Sequence, residues 1–163
     1  MPFIVVVVVV AVAGVTAACG SSQPPQQRAQ SYIRDMSHDI NTVQVSVQSV
    51  QAGLLLIQKG AVSNDALDQF AELAQQAHDS INAVRQDFAT DDTSGNLGNA
   101  EVELFTAAND LKNTMGTVVT LTGDPNPANV AHFTSQYQNA VGEWDDGVKT
   151  VWSIAGESKP PTL

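Results

Sequence analysis

Between residues 33 and 57, apolar side chains recur at alternating steps of three and four: Ile33, Met36, Ile40, Val43, Val47, Val50, Leu54 and Ile57. On a helix this rhythm lines one face, so the segment reads as an amphipathic rod whose stripe needs a partner. Arg34, Asp35, His38, Asp39, Gln44, Gln48 and Gln51 fill the intervening positions, which face water. Valine lowers intrinsic helix propensity, but burial of the stripe against other helices outweighs that. Lys59-Gly60 closes the rod with a cation and a left-handed cap.

Three more stripes follow. The second runs Leu67, Phe70, Ala74, Ala77, Ile81, Val84 and Phe88, capped by Ser63 or Asn64 and helped by Asp65 and Asp68 near its positive end. "TDDTSGN" at residues 90–96 breaks it. The third has Leu97, Leu104, Ala108, Leu111, Met115 and Val118, interrupted at Glu101, where Ala100 takes the inner position. "TVVTL" at residues 117–121 has strand-like composition but continues that stripe. "TGDPNPAN" stops it, and Asn126-Pro127 supplies an N-cap and first-turn proline for the fourth. That last stripe is Val130, Phe133, Tyr137, Val141, Trp144, Val148, Val151 and Ala155, with its register slipping near Gly147. Four striped segments joined by short turns predict an all-α fold, an antiparallel up-down four-helix bundle over residues 31–157. Residues 158–163 are expected to form a disordered tail.

Ahead of the bundle the pattern changes in kind. Phe3 to Val15 is almost unbroken apolar sequence, valine at every position from Val5 to Val10. It is short of the roughly 20 residues a bilayer span needs, and fits the apolar core of a secretory leader. Thr16, Ala17 and Ala18 then lead into Cys19, the chain's single cysteine, followed by Gly20, Ser21 and Ser22. In this order the segment resembles a bacterial lipoprotein signal peptide with its lipobox. The resemblance implies that residues 1–18 are a signal peptide cleaved between Ala18 and Cys19. It also implies that the Cys19 thiol carries a diacylglycerol, with further acylation such as palmitate. Two departures stand out: Thr16 occupies a position where leucine is commonest, and no Lys or Arg precedes Arg28. Residues 19–30, "CGSSQPPQQRAQ", combine Gly, Ser, Pro and Gln with almost no apolar side chain, and read as a flexible tether behind the lipidated Cys19. Two acyl chains hold a protein stably at a membrane, where one holds it only marginally.

Charge narrows the functions available. The chain has 17 Asp and Glu against 7 Lys and Arg, for a formal net charge of -10. Binding a phosphate backbone needs clustered cations, so nucleic acid is excluded as a partner. A lone cysteine forms no intramolecular disulfide, and the fold must hold by packing.

Candidate chemistry is sparse. Di-iron bundles use inward Glu-x-x-His pairs, which do not occur; the nearest spacing, Asp35 to His38, falls on outward positions. His38, His78 and His132 lie on three separate rods and read as surface residues, so no metal site and no cofactor are expected. Asp91, Asp92 and Asn96 lack the spacing of a calcium loop, and Asp145-Asp146 reads as a solvated pair. No serine sits in a nucleophile turn with an oriented His and acid, so the chain is read as no enzyme.

Two features bear on partners. Trp144 and Trp152 share the last rod with Tyr137 and Phe133; an exposed tryptophan there would be a binding hot spot, a buried one a core filler. In "GLLLIQ", Leu55 and Leu56 flank the stripe and either widen the buried face or form an apolar patch. The expectation is a lipid-anchored lipoprotein on the extracytoplasmic face of a bacterial cell membrane, held through Cys19. It would act as a non-enzymatic helical interaction module for a protein partner in the cell envelope. The alternatives are a carrier of a small apolar ligand or lipid, and a lipoprotein of the prophage type that excludes a second infection.

Overall fold

The computed structural model describes residues 23–59, 63–89 and 95–161. These form an all-α bundle built from α1 (Pro25–Gln58), α2 (Asn64–Val84), α3 (Gly95–Gly116), α4 (Val118–Gly123) and α5 (Pro127–Ala155). A 3-10 turn, Arg85–Phe88, extends α2 and carries Phe88 into the core. The short α4 continues the line of α3, so four rods make up the bundle. α1 packs on α2 and α5, and α3 closes the ring between them. The rods α1 and α5 run antiparallel: Gln30 near the start of α1 reaches Ala155 at the end of α5, and Gln58 at the other end reaches Thr134.

The stripes become the core. Ile40, Val43, Val47, Val50, Leu54 and Ile57 of α1 are buried, and Ile33 and Met36 half-buried. α2 contributes Leu67, Phe70, Ala74, Ala77 and Ile81. Phe133 of α5 ties that rod to α2, meeting Phe70 edge-on at 5.7 Å and lying over Tyr137 of its own helix at 6.1 Å. Edge-to-face geometry places the positive ring edge on the negative ring face, adding to simple area burial. The Tyr137 hydroxyl donates to the Val47 carbonyl at 2.8 Å, pinning α5 to α1 inside the core. Burial raises the Tyr137 phenol well above its usual range, so this donor keeps its proton.

The helix ends follow their local chemistry. Ser63 Oγ accepts from the Ala66 amide at 3.2 Å, making Ser63 the cap of α2, with Asp65 in its first turn. Asn126 Oδ1 accepts from the amides of Ala128 and Asn129, each at 2.9 Å, and Pro127 occupies the first turn of α5. The third rod breaks at Thr117, whose amide turns back to Thr114 O at 3.0 Å. Gly116 and the following β-branched run weaken α-helix there, yet Val118 and Leu121 stay buried, so the stripe crosses the break. Gly60 lies outside the described residues.

Three expectations are corrected. First, the tether expected to reach residue 30 ends earlier, because α1 already begins at Pro25. Proline presets the helical φ at a position whose missing N–H is not needed. Ala29 is fully buried, and the Gln26 and Gln30 amides donate to the Ala155 carbonyl at 3.3 and 3.1 Å. Second, the stripe of the fourth rod does not slip at Gly147: Trp144, Gly147, Val148 and Val151 are all buried in step. α5 is continuous from Pro127 to Ala155, and Gly147 is where Leu104 of α3 seats: a Cβ there would come within 3.1 Å of Leu104 Cδ2. Third, Glu101 does not interrupt the inner face; both Ala100 and Glu101 are buried. α3 buries more than one stripe, adding Gly98, Ala107 and Thr114 to the inner face.

The bundle ends at residue 155 rather than 157, with Gly156 in the left-handed conformation at φ 77. Pro160 and Pro161 are half-buried, and residues 162–163 lie outside the described part. By length and composition alone, α1 is long and apolar enough to cross a membrane. In the fold its inward stripe is covered by the other rods.

Candidate functional site

Cys19, Ala18 and the whole leader lie outside the described residues. What the structure does place is the point where that segment joins the body. Gln23 and Pro24 precede α1, and the first turn of α1 lies beside the last turn of α5. The final carbonyls of a helix have no partner within it. Here the Ala155 carbonyl accepts two glutamine amides from α1, while Gly156 and Glu157 return their amides to Ser153 O and Trp152 O at 3.1 and 3.0 Å. The joint between leader and body is therefore tied across two rods at one end of the bundle.

The aromatic pair splits. Trp144 is fully buried with its ring against Phe88 at 5.4 Å and 72°, so it fills the core and offers no surface to a partner. Trp152 is half-buried and packs on the core margin. Leu55 and Leu56 are exposed at 45% and 51%, on the outside of α1 toward its far end. The sequence reading missed Val45, 54% exposed, and Val119, 75% exposed. Val45 carried a signal: it is the apolar residue of α1 that falls between two stripe positions, Val43 and Val47.

Surface grooves follow two seams. Beside the far end of α1, an open groove of about 560 Å³ is lined mostly by apolar atoms of Ile57, Pro125, Pro127, Val130 and Ala131. Along α3 and α5, small residues let the rods approach, and Glu103, Glu143 and Asp146 rim a shallow hollow with Val102, Thr106 and Ala107. Asp146 there meets Lys149 at 3.2 Å, an exposed pair contributing little to stability. Among the described residues, no group of three or more His, Cys, Asp and Glu is placed to hold a metal ion. His38 and His132 are exposed on α1 and α5, and His78 Nδ1 on α2 lies 2.9 Å from Asp79 Oδ1. That contact and the Gln75 amide hold the exposed Asp79 carboxyl below its ordinary range. Asp91 and Asp92 lie outside the described residues.

The electrostatic tension is instead at the leader-side end. Desolvation, then the nearby Asp87, push the Asp39 carboxyl above its ordinary range, against a lowering influence from His38. Tyr32 is raised too, by burial first and then by Glu101 and Asp39, and its hydroxyl has no hydrogen-bond partner. A carboxyl raised in the folded state contributes stability below the unfolded value and loses it as pH rises through the folded value. Ionised Asp39 therefore works against the fold at pH 7. Asp39→Asn should stabilise the fold at pH 7 by less than about 1 kcal/mol, seen as a small rise in thermal midpoint. The gain should vanish in acid, where Asp39 is protonated; a pH series of melting curves that shows the same gain in acid would contradict this.

These features define an all-α helical bundle, preceded in the sequence by an apolar run. No protein-family model matches the chain, and no curated protein and no solved structure matches it.

Proposed function

We propose that the chain is a lipoprotein of the bacterial cell envelope, moored through Cys19 on the extracytoplasmic face of the membrane. Its helical body acts there as a non-enzymatic interaction module for another envelope component. The observation that carries this reading is the order of parts at the N-terminus: an apolar run, Thr16-Ala17-Ala18, a single cysteine, and a short polar stretch leading into a folded helix at Pro25. The position of the mooring supports it. Between Cys19 and Pro25 lie only a few residues, spanning at most about 20 Å extended, so the leader-side end stays near the bilayer. The 34-residue α1 carries the opposite end, with Leu55, Leu56 and the groove beside Ile57, about 50 Å away.

The experiment is fractionation of cells expressing the wild-type chain and Cys19→Ser, with intact-mass analysis of the product. The wild type should partition into membranes as a chain beginning at Cys19 and carrying acyl mass. Cys19→Ser should lose that mass and the membrane association that depends on it. A wild-type thiol found unmodified, with residues 1–18 still present, would end the lipoprotein reading.

A carrier role has one observation in its favour, the apolar groove between α1 and α5. That groove is open to the surface, and the facing interior is filled by Ile57, Phe133 and Tyr137. An interaction surface accounts for it more directly.

A further inference from the structure

α1 has a second apolar face, opposite the one it buries. Around Ala52, which is exposed, Gln48 and Ser49 lie one turn toward the N-terminus, and Leu55 and Leu56 one turn toward the C-terminus. Val45 lies two turns back. Residues spaced by three, four and seven on a helix are surface neighbours, so these form one patch. Of the five large apolar side chains exposed among the described residues, Val45, Leu55 and Leu56 belong to it.

The charge pattern separates this face from the rest of the molecule. The chain carries a formal charge of -10, yet Ile40 to Gln58 holds no charged side chain at all. On α5 alongside, no Asp, Glu, Lys or Arg occurs from Pro125 to Gly142. Two copies of so acidic a chain repel each other wherever carboxylates face carboxylates. In a two-fold contact, residues near the axis meet their own counterparts, so the interface must avoid like charges there. The middle and far part of α1 meets that condition.

Its polar groups are also self-compatible. The Gln48 amide is both donor and acceptor and can pair with a second Gln48 or with nearby backbone. The Ser49 hydroxyl already donates to Val45 O at 2.8 Å, so burying it leaves no orphan donor. Ala52 at the centre is small among larger neighbours and leaves a recess for a side chain of the facing helix, as in knobs-into-holes packing. A lipid surface fits less well: it would leave the Gln48 amide without a partner in hydrocarbon, and Lys59 at the end of α1 is the single cation on this face to draw it to anionic headgroups.

We propose that a second copy of this chain packs on the outer face of α1 centred on Ala52, making the protein a homodimer through α1–α1 contact. The inference does not depend on the acylation of Cys19.

The test has two parts. In membranes from cells making the full chain, Ala52→Cys should give a disulfide-linked dimer on mild oxidation. The parent chain, whose one thiol is at Cys19, sets the background, and Gln138→Cys on the exposed side of α5 should not exceed it. In sedimentation of the purified full chain, the parent should show dimer mass and Ala52→Glu should self-associate ~10-fold or more weakly, since like charges then face each other across the axis. Ala52 is exposed and glutamate is a good helix former, so the circular dichroism of the variant should match the parent and exclude unfolding as the cause. Equal crosslinking from positions 52 and 138, a parent that is monomeric at every concentration, or a dimer indifferent to Ala52→Glu would each overturn the proposal. So would a monomeric chain whose Leu55→Glu variant alone weakens membrane binding, which would give the face to lipid.

Discussion

Val47→Asp should remove a large part of the fold's stability. Val47 is fully buried between α1 and α5, and its own carbonyl accepts the Tyr137 hydroxyl at 2.8 Å. A carboxylate at this position would lie in the bundle interior with no cation beside it. Such a group either stays charged at a large desolvation cost or takes up a proton, and both routes penalise the folded state. The core also loses methyl contacts that the valine made. The expected loss is about 3–5 kcal/mol, a large part of the 5–15 kcal/mol that typically holds a domain. Gln51→Asp, one turn along the same helix but exposed, is the matched control and should cost less than about 1 kcal/mol. Urea titrations followed by circular dichroism compare the two directly. Similar midpoints for both variants would mean that residue 47 does not face the interior.

The second large effect is at Trp144. Its ring is wholly buried, edge-on to Phe88, and Phe88 is the last residue of the 3-10 turn that extends α2. Trp144→Ala opens a void where α5 meets that turn and should cost about 3–5 kcal/mol. Trp144→Phe separates two contributions. The indole Nε1–H of Trp144 is buried without an acceptor, so the native side chain carries a desolvation penalty alongside its packing gain. Phenylalanine keeps most of the apolar contact and removes that donor, so its cost should be smaller, about 1–2 kcal/mol. Equal losses for the two substitutions, measured by urea unfolding, would show that phenylalanine does not keep the packing of the indole against Phe88. Trp152→Ala, at the half-buried margin, should cost less than Trp144→Ala.

Much of the bundle was readable from spacing. The inner residues of α1 and α2 match the three-four rhythm almost position by position, and the caps at Ser63 and Asn126 follow from side chains that accept amides at a helix start. α3 was harder. Its buried face is wider than one three-four stripe, so Glu101, Ala107 and Thr114 are buried off the stripe. The start of α1 was hidden for a different reason. "QPPQQ" has a linker's composition, and nothing local reveals that Gln26 and Gln30 would find an acceptor at Ala155, well over a hundred residues away.

The candidate site was read just as unevenly. The apolar run, the small residues and Cys19 resemble a lipobox in chain order, and they lie outside the described residues. Trp144 and Leu55 were ambiguous, since periodicity gives a residue's angle about its own helix axis and not what lies in that direction.

By itself, then, the sequence determined four amphipathic rods, their caps and breaks, an acidic charge balance and an apolar N-terminal run followed by one cysteine. All of these rest on neighbours within a turn or two along the chain. Only the tertiary structure decided that Trp144 is interior, that α1 reaches back to Pro25, and that the uncharged side of α1 around Ala52 is left uncovered. Those outcomes depend on where the other rods stand around each helix, which is set by packing the whole bundle at once.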